Sequence, residues 1–177
     1  MAKRWFGIAA LLVATACAST PRVNYDSDPT ADFSRYRSYS WVFSGVPQGM
    51  NPLLFERVKA SIDRSLAARS FTQSANGDFA IAFTLGARDR VEVTDYGPYG
   101  PFFPRFGYGW GGYHDVDVRN VTDGTLTIDI YDVATKKPVW HGTATQEINR
   151  NKPDPAMIDV AVDAALANFP PPPPKAR

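Results

Sequence analysis

Three groups of residues in this chain have types and spacings that bear on chemistry. The first is a lone thiol: Cys17 is the one cysteine among 177 residues. With a single thiol, no internal disulfide can form. The second is His114-Asp115-Val116-Asp117, an imidazole beside two carboxylates. Such a set could hold a cation weakly or supply acid–base groups. A metal site ordinarily needs three or four ligands, and an acid–base pair needs an orienting partner. The simpler reading is a polar strand edge leaving a loop. The third is the segment from Tyr96 to Tyr113. There Tyr96, Tyr99, Phe102, Phe103, Phe106, Tyr108, Trp110 and Tyr113 alternate with glycine and proline, and Arg105 is the single charge. Glycine and proline forbid a regular element, while dense aromatics suit partner, glycan or ligand contacts. This is the candidate binding loop, the alternative being an insertion folded over the sheet.

The remaining polar residues point to structure. His141 follows Trp140 in an alternating stretch, so imidazole and indole face opposite ways and a solvated histidine is expected. Asp129 should share an outer face with Thr127 and Tyr131, and Asp132 should cap the turn toward Lys136. The chain holds no Gly-x-Ser-x-Gly, no phosphate-binding glycine loop, no paired CxxC and no HExxH. Sequence reasoning therefore assigns no catalytic residue, no metal and no cofactor.

The residues before Cys17 decide what its thiol is for. Lys3 and Arg4 are followed by an apolar run, Trp5 to Val13, and by small Ala14, Thr15 and Ala16. A signal peptidase needs small side chains before the cleaved bond. The arrangement resembles the lipobox of a bacterial lipoprotein, whose cysteine is acylated with palmitate-type chains and becomes the first residue of the mature protein. An ordinary secretory signal cleaved near Ala16–Ala18 is the alternative. The apolar run is far shorter than the ~20 residues of a spanning helix, so lipid would do the holding. Each buried methylene contributes about 0.8 kcal/mol, and several chains together anchor firmly. Ala18 stands where aspartate retains enterobacterial lipoproteins in the inner membrane. By resemblance to that rule the expected address is the outer membrane, facing the periplasm. Removing residues 1–16 changes the formal charge from +1 to −1, with 17 basic against 18 acidic side chains. A near-neutral surface has no broad attraction for nucleic acid.

Residues 17–32 are polar and proline-containing and are expected to be a tether; 33–169 form one domain, and 170–177 a proline-rich tail. Within the domain, Tyr39, Trp41 and Phe43 alternate as a strand over 38–43. Leu54, Val58, Ile62 and Leu66 predict an amphipathic helix over 52–69, capped by Asn51 with Pro52 in its first turn. Phe79, Ile81, Phe83 and Leu85 predict a strand over 78–87, continuing past Gly86 to Val93. Val116, Val118 and Val121 mark a third strand, 124–132 a fourth after a turn at 120–124, and 139–148 a fifth. Ile158, Val162, Ala165, Leu166 and Phe169 form the stripe of a second helix, with Asp154 as a cap. Trp41 and Trp140 are expected in the core or its rim. The fold class is α+β: a mainly antiparallel sheet of about five strands with two helices packed on one face.

Four pieces carry a family resemblance: Asp32-Phe33-Ser34-x-Tyr36-x-x-Tyr39-x-Trp41, Gly124-Thr125-Leu126-x-Ile128-Asp129-Ile130-x-Asp132, Val139-Trp140-His141-Gly142 and Phe169-Pro170-Pro171. In order and spacing, from about Val23 to Pro171, the chain resembles the envelope lipoprotein family known as domain of unknown function 4136. The resemblance implies an acylated, periplasm-facing α+β domain with no established catalytic residues. The chain departs from the pattern at Ser70, where a glycine often precedes the aromatic, and at His141, where a basic residue is usual. The functional expectation is a membrane-anchored, non-catalytic lipoprotein that binds or scaffolds an envelope protein or glycan. Its rivals are an envelope-polymer hydrolase using His114, Asp115 or Asp117, and an auxiliary subunit of an envelope transporter.

Overall fold

The structure is a computed structural model and describes residues 20–95, 116–149 and 154–172. Its strands are β1 (Arg22–Ser27), β2 (Ser38–Trp41), β3 (Thr72–Gln73), β4 (Phe79–Asp95), β5 (Val116–Asp132) and β6 (Pro138–Ile148). The helices are α1 (Pro52–Ala68) and α2 (Ala156–Ala165). Together they make an α+β domain whose six-stranded sheet runs β1-β6-β5-β4-β2-β3. The expected, mainly antiparallel sheet of about five strands needs three corrections. First, β2 pairs in parallel with both β3 and β4, so the sheet is mixed. Second, Arg22–Ser27, expected within a tether, is an edge strand paired antiparallel to β6 from Arg22↔Thr145 to Ser27↔Trp140. Third, there is no turn at 120–124: β5 is continuous and matches β4 over its whole length, from Phe79↔Asp132 to Asp95↔Val116.

The elements form for local reasons. Asn51 accepts hydrogen bonds from the N–H groups of Leu53 and Leu54, and Pro52 fills the first helical position, where no N–H is needed. At the other end of α1, Ser70 N–H donates to Ala67 O and Phe71 N–H to Leu66 O. This is a Schellman closure, with Ser70 in the left-handed position at φ 68°. Asp154 accepts from Ala156 N–H at the start of α2, in the capping role expected of it.

The core is built in rungs across β4, β5 and β6. The inward rungs read Ile81–Ile130–Trp140, Phe83–Ile128–Gly142, Leu85–Leu126–Ala144 and Ala87–Gly124–Gln146. Phe79, Ile81, Phe83, Ile128 and Ile130 are fully enclosed, joined by Val58, Ile62 and Leu66 of α1 and Val162 of α2. Burying each such side chain is worth roughly 1.5–3 kcal/mol. Trp140 and Gly142 share this face. A Cβ on Gly142 would lie 2.0 Å from the Trp140 ring and 2.6 Å from the carbonyl oxygen of Ala165. Glycine there lets the indole lie flat beneath the end of α2. Trp140 is thus a core residue, and half-buried Trp41 packs against the core, as expected.

Beyond Thr122, the last β5 residue before the end of β6 at Ile148, β4 and β5 continue as a two-stranded ribbon. Val91 and Val118 on it are 60% and 61% exposed. Cross-strand polar pairs hold it: Arg119–Glu92 at 3.1 Å, Arg90–Asp123 at 2.9 Å, and the Thr122 hydroxyl donating to Asp89 at 2.7 Å.

Candidate functional site

Several expected site residues lie outside the described residues: Cys17, the loop aromatics Tyr96, Tyr99, Phe102, Phe103, Phe106, Tyr108, Trp110 and Tyr113, and His114 with Asp115. Asp117 belongs to β5, opposite Thr94. The segment bearing the aromatics joins Asp95 to Val116, the last cross-strand pair of the ribbon.

Three polar clusters of the folded domain bear on the question of a site. Asp132, on the inward face opposite Phe79, is almost wholly enclosed. Burial alone would push its carboxyl up. Hydrogen bonds from the Thr135 N–H, the Tyr36 hydroxyl, the Thr135 hydroxyl and Arg35 reverse this and hold it at about 2. Burial, and then the bond to Asp132, raise Tyr36 to about 12. The expected turn-capping role of Asp132 is present in its bonds to Thr135 at 2.7 and 3.0 Å. Its ties to Arg35 and Tyr36 across the fold were not evident from the sequence, because the partners lie 96 and 97 positions away.

The second cluster centres on Asp63 of α1. Its carboxylate accepts from the Tyr39 hydroxyl at 2.7 Å, from Trp41 Nε1 at 3.1 Å and from Lys59 at 3.0 Å. Lys59 also lies over the Trp41 ring, 5.0 Å from its centroid. Burial, reinforced by Asp63, raises the Tyr39 phenol. This cluster clamps β2 to α1.

The third is on the outer face, where His141 Nδ1 and Asp129 Oδ1 lie 2.7 Å apart as cross-strand neighbours. Both are partly exposed, on an open sheet surface beside the cross-strand pair Thr127–Thr143. His141 and Trp140 do face opposite ways, but the imidazole is oriented by a carboxylate rather than simply solvated. The pair has the geometry of an oriented base without a cleft to act in. Among the described residues, no group of three or more His, Cys, Asp or Glu is placed to hold a metal ion.

A concave feature of the domain is apolar. A cavity of about 380 Å³ opens between α1, α2 and the sheet, where the ribbon departs. This is within the size range of small-molecule pockets. It exists because the rungs shrink: Ala87–Gly124–Gln146 leave the end of the sheet low, and small Ala161 is among the α2 residues that line the space. Gln146 is buried and satisfied, its amide donating to Met157 O at 2.9 Å. Leu54 stands at the rim, 36% exposed, with Arg57 one turn further along α1. None of these residues was singled out as functional by sequence reasoning. The available signal was the run of small residues in three successive strands, which means nothing until register aligns them.

No curated protein matches the chain. Among solved structures it is similar to a PDZ domain protein from Parabacteroides distasonis, with 14% identity and a TM-score of 0.56. That match covers 86% of this chain and 36% of the other, so the chain spans about a third of that protein's length, and the likeness is one of fold. Two PelC dodecamer structures from Paraburkholderia phytofirmans match with 13% identity and TM-scores of 0.49 and 0.48, covering 83% of this chain and 95% of theirs. The family model described as Domain of unknown function (DUF4136) matches residues 23–171, from within β1 to beyond α2. Its span takes in the cluster residues Tyr36, Tyr39, Trp41, Asp132, Trp140, Gly142 and Phe169, and the chain belongs to the DUF4136 family.

Proposed function

We propose that this chain is a lipoprotein of the bacterial cell envelope, anchored in the outer membrane through acylated Cys17, whose periplasmic domain binds a ligand or partner and catalyses no reaction. The cavity at the base of the ribbon carries the binding half of this reading. It is lined mainly by aliphatic side chains, and its one buried polar side chain, Gln146, is already bonded to backbone. Such a lining favours a ligand and offers little to a reaction that must move protons. The acid–base pair that does exist, Asp129–His141, is on the opposite face of the sheet.

The anchoring half rests on the sequence from Lys3 to Cys17. No helix among the described residues is long and apolar enough to cross a membrane; the proposed attachment is lipid on Cys17. Fractionation tests it. The wild-type chain should sediment with outer-membrane markers, and Cys17→Ser should appear in the soluble periplasmic fraction. Unchanged membrane retention of Cys17→Ser would overturn the anchor, and co-migration of wild type with inner-membrane markers would overturn the address.

A further inference from the structure

Resting on the binding reading above, we infer that the cavity at the base of the ribbon takes a single long-chain carboxylate, its alkyl chain inside and its carboxylate on Arg57. Two independent observations meet here. The first is the lining. Leu85, Leu126, Ala144, Ile148, Met157 and Ile158 surround a space of about 380 Å³ that no side chain of the described residues fills. An apolar space of this size favours a flexible alkyl chain over a polar ligand, whose groups would find no partners there.

The second observation is the charge at the rim. Of the arginines on α1 and at its C-cap, Arg64 pairs with Asp159, and Arg69 bonds Ser65 and the carbonyl of Leu166. Arg57, between Leu54 and Val58 on the cavity wall, has no ion-pair or hydrogen-bond partner among the described residues. Its exposed guanidinium keeps its donors available, with a fork geometry that matches a carboxylate. One other charged residue lines the space: Asp154, whose Oδ1 is occupied by the Ala156 N–H. Alkyl-sized space and an unpaired cation at its rim are the complementary halves of an anionic amphiphile. A neutral apolar ligand would leave Arg57 unused, and a short organic acid would leave the cavity empty.

The test titrates the full chain with octanoate, decanoate and dodecanoate, each below its micelle-forming concentration, and with dodecanol. Titration calorimetry reads the affinity. Each methylene that enters the cavity should tighten binding roughly fourfold, so the series rises with length until the space is full. Dodecanoate should bind more tightly than dodecanol. Arg57→Gln should weaken dodecanoate about tenfold and leave dodecanol unchanged. Ala87→Phe, at an exposed edge of the cavity, should weaken both ligands without lowering the melting temperature. A length-independent series, equal affinity for acid and alcohol, or an Arg57→Gln variant that binds dodecanoate like wild type would overturn the inference. So would binding of phosphatidylglycerol vesicles but of no free carboxylate, or self-association of the chain that Ala87→Phe abolishes. The Cys17→Ser fractionation is independent of these titrations. Release of that variant together with no carboxylate binding would leave the envelope reading standing and remove this inference alone.

Discussion

The two ends of one sheet are built on opposite principles. At the end where β2 enters, the rings of Tyr36, Tyr39, Phe71 and Phe169 all pack around Phe79, with centroids 5.3–5.9 Å away. The buried Asp132 carboxylate is fully engaged beneath them. At the end where the ribbon leaves, the facing residues are Ala87, Gly124 and Gln146, and space remains between sheet and helices. Strands β4, β5 and β6 run through both ends, so the difference lies in their inward side chains and in the rings that β2 and the segments after α1 and α2 bring to one end. The aromatic end holds the domain together, and the small-residue end is free to receive something else.

Mutations at the two ends should therefore behave as if made in different proteins. Phe79→Ala removes a fully enclosed ring and should cost about 3–5 kcal/mol, a large part of the stability of an ordinary domain. Leu54→Ala at the cavity rim should cost less than about 1 kcal/mol, because its side chain is already partly in water. Urea denaturation of both variants checks this, and equal losses would erase the contrast. Added volume should show the mirror effect. Gly142→Ala drives a methyl into the Trp140 ring and the end of α2 and should cost about 3 kcal/mol, the upper part of the range for overpacking. Ala87→Leu has open space beside it and should be close to neutral in the same assay.

The aromatic end should also be the acid-sensitive one. Asp132 titrates at about 2 in the folded chain, against an ordinary value of 3.8. Between those values the unfolded chain binds a proton that the folded chain does not. The stability this group contributes is complete above roughly pH 5 and is lost as pH falls through about 2. The difference corresponds to about 2 kcal/mol. Urea melts at pH 7, 4 and 2.5 should show this loss in wild type and lack it in Asp132→Asn. A pH profile identical in the two would assign the acid sensitivity elsewhere.

The contrast between the ends also explains what the sequence could reveal. Where packing is dense, periodicity is a faithful guide: Val58, Ile62 and Leu66 are buried at spacing four, and Phe79, Ile81 and Phe83 at spacing two. The stripe misleads only at Leu54, which overhangs the cavity. Both ribbon strands, the run past Gly86 to Val93 and the one marked by Val116, Val118 and Val121, are where the sequence places them, but the continuity of β5 is not legible, because a two-stranded element with both faces in water has no buried face to impose alternation. Its Asn120 to Gly124 looked like a turn, yet cross-strand pairs such as Arg90–Asp123 hold it extended. Strand β1 was hidden for a related reason: its side chains are largely exposed, and its place rests on backbone bonds to β6. The cavity left no periodic trace, since an absence of volume has no hydropathy. Sequence reasoning therefore placed its binding site in the aromatics of residues 96–113, where residue type alone is conspicuous.

The smallest effect returns to the aromatic end, at a position the family pattern flagged. Ser70 closes α1 with φ 68°, a conformation in which a Cβ crowds the backbone. For an L-residue this costs about 1–2 kcal/mol, and glycine avoids it. Against that gain, glycine loses more backbone freedom on folding, about 0.4–1 kcal/mol. Ser70→Gly should therefore stabilise the domain by roughly 0.5–1 kcal/mol, the difference between the two. For a chain of this size that is a rise in melting temperature of about 1–4 °C. Ser70→Ala keeps the Cβ and should melt like wild type. The left-handed turn is retained in this chain because Phe71, the next residue, is locked between Phe79 and Phe169 at 5.3 and 5.6 Å and fixes where the chain must go. If Ser70→Gly melts at or below the wild-type temperature, the serine is not strained, and the aromatic cluster is not what imposes the turn.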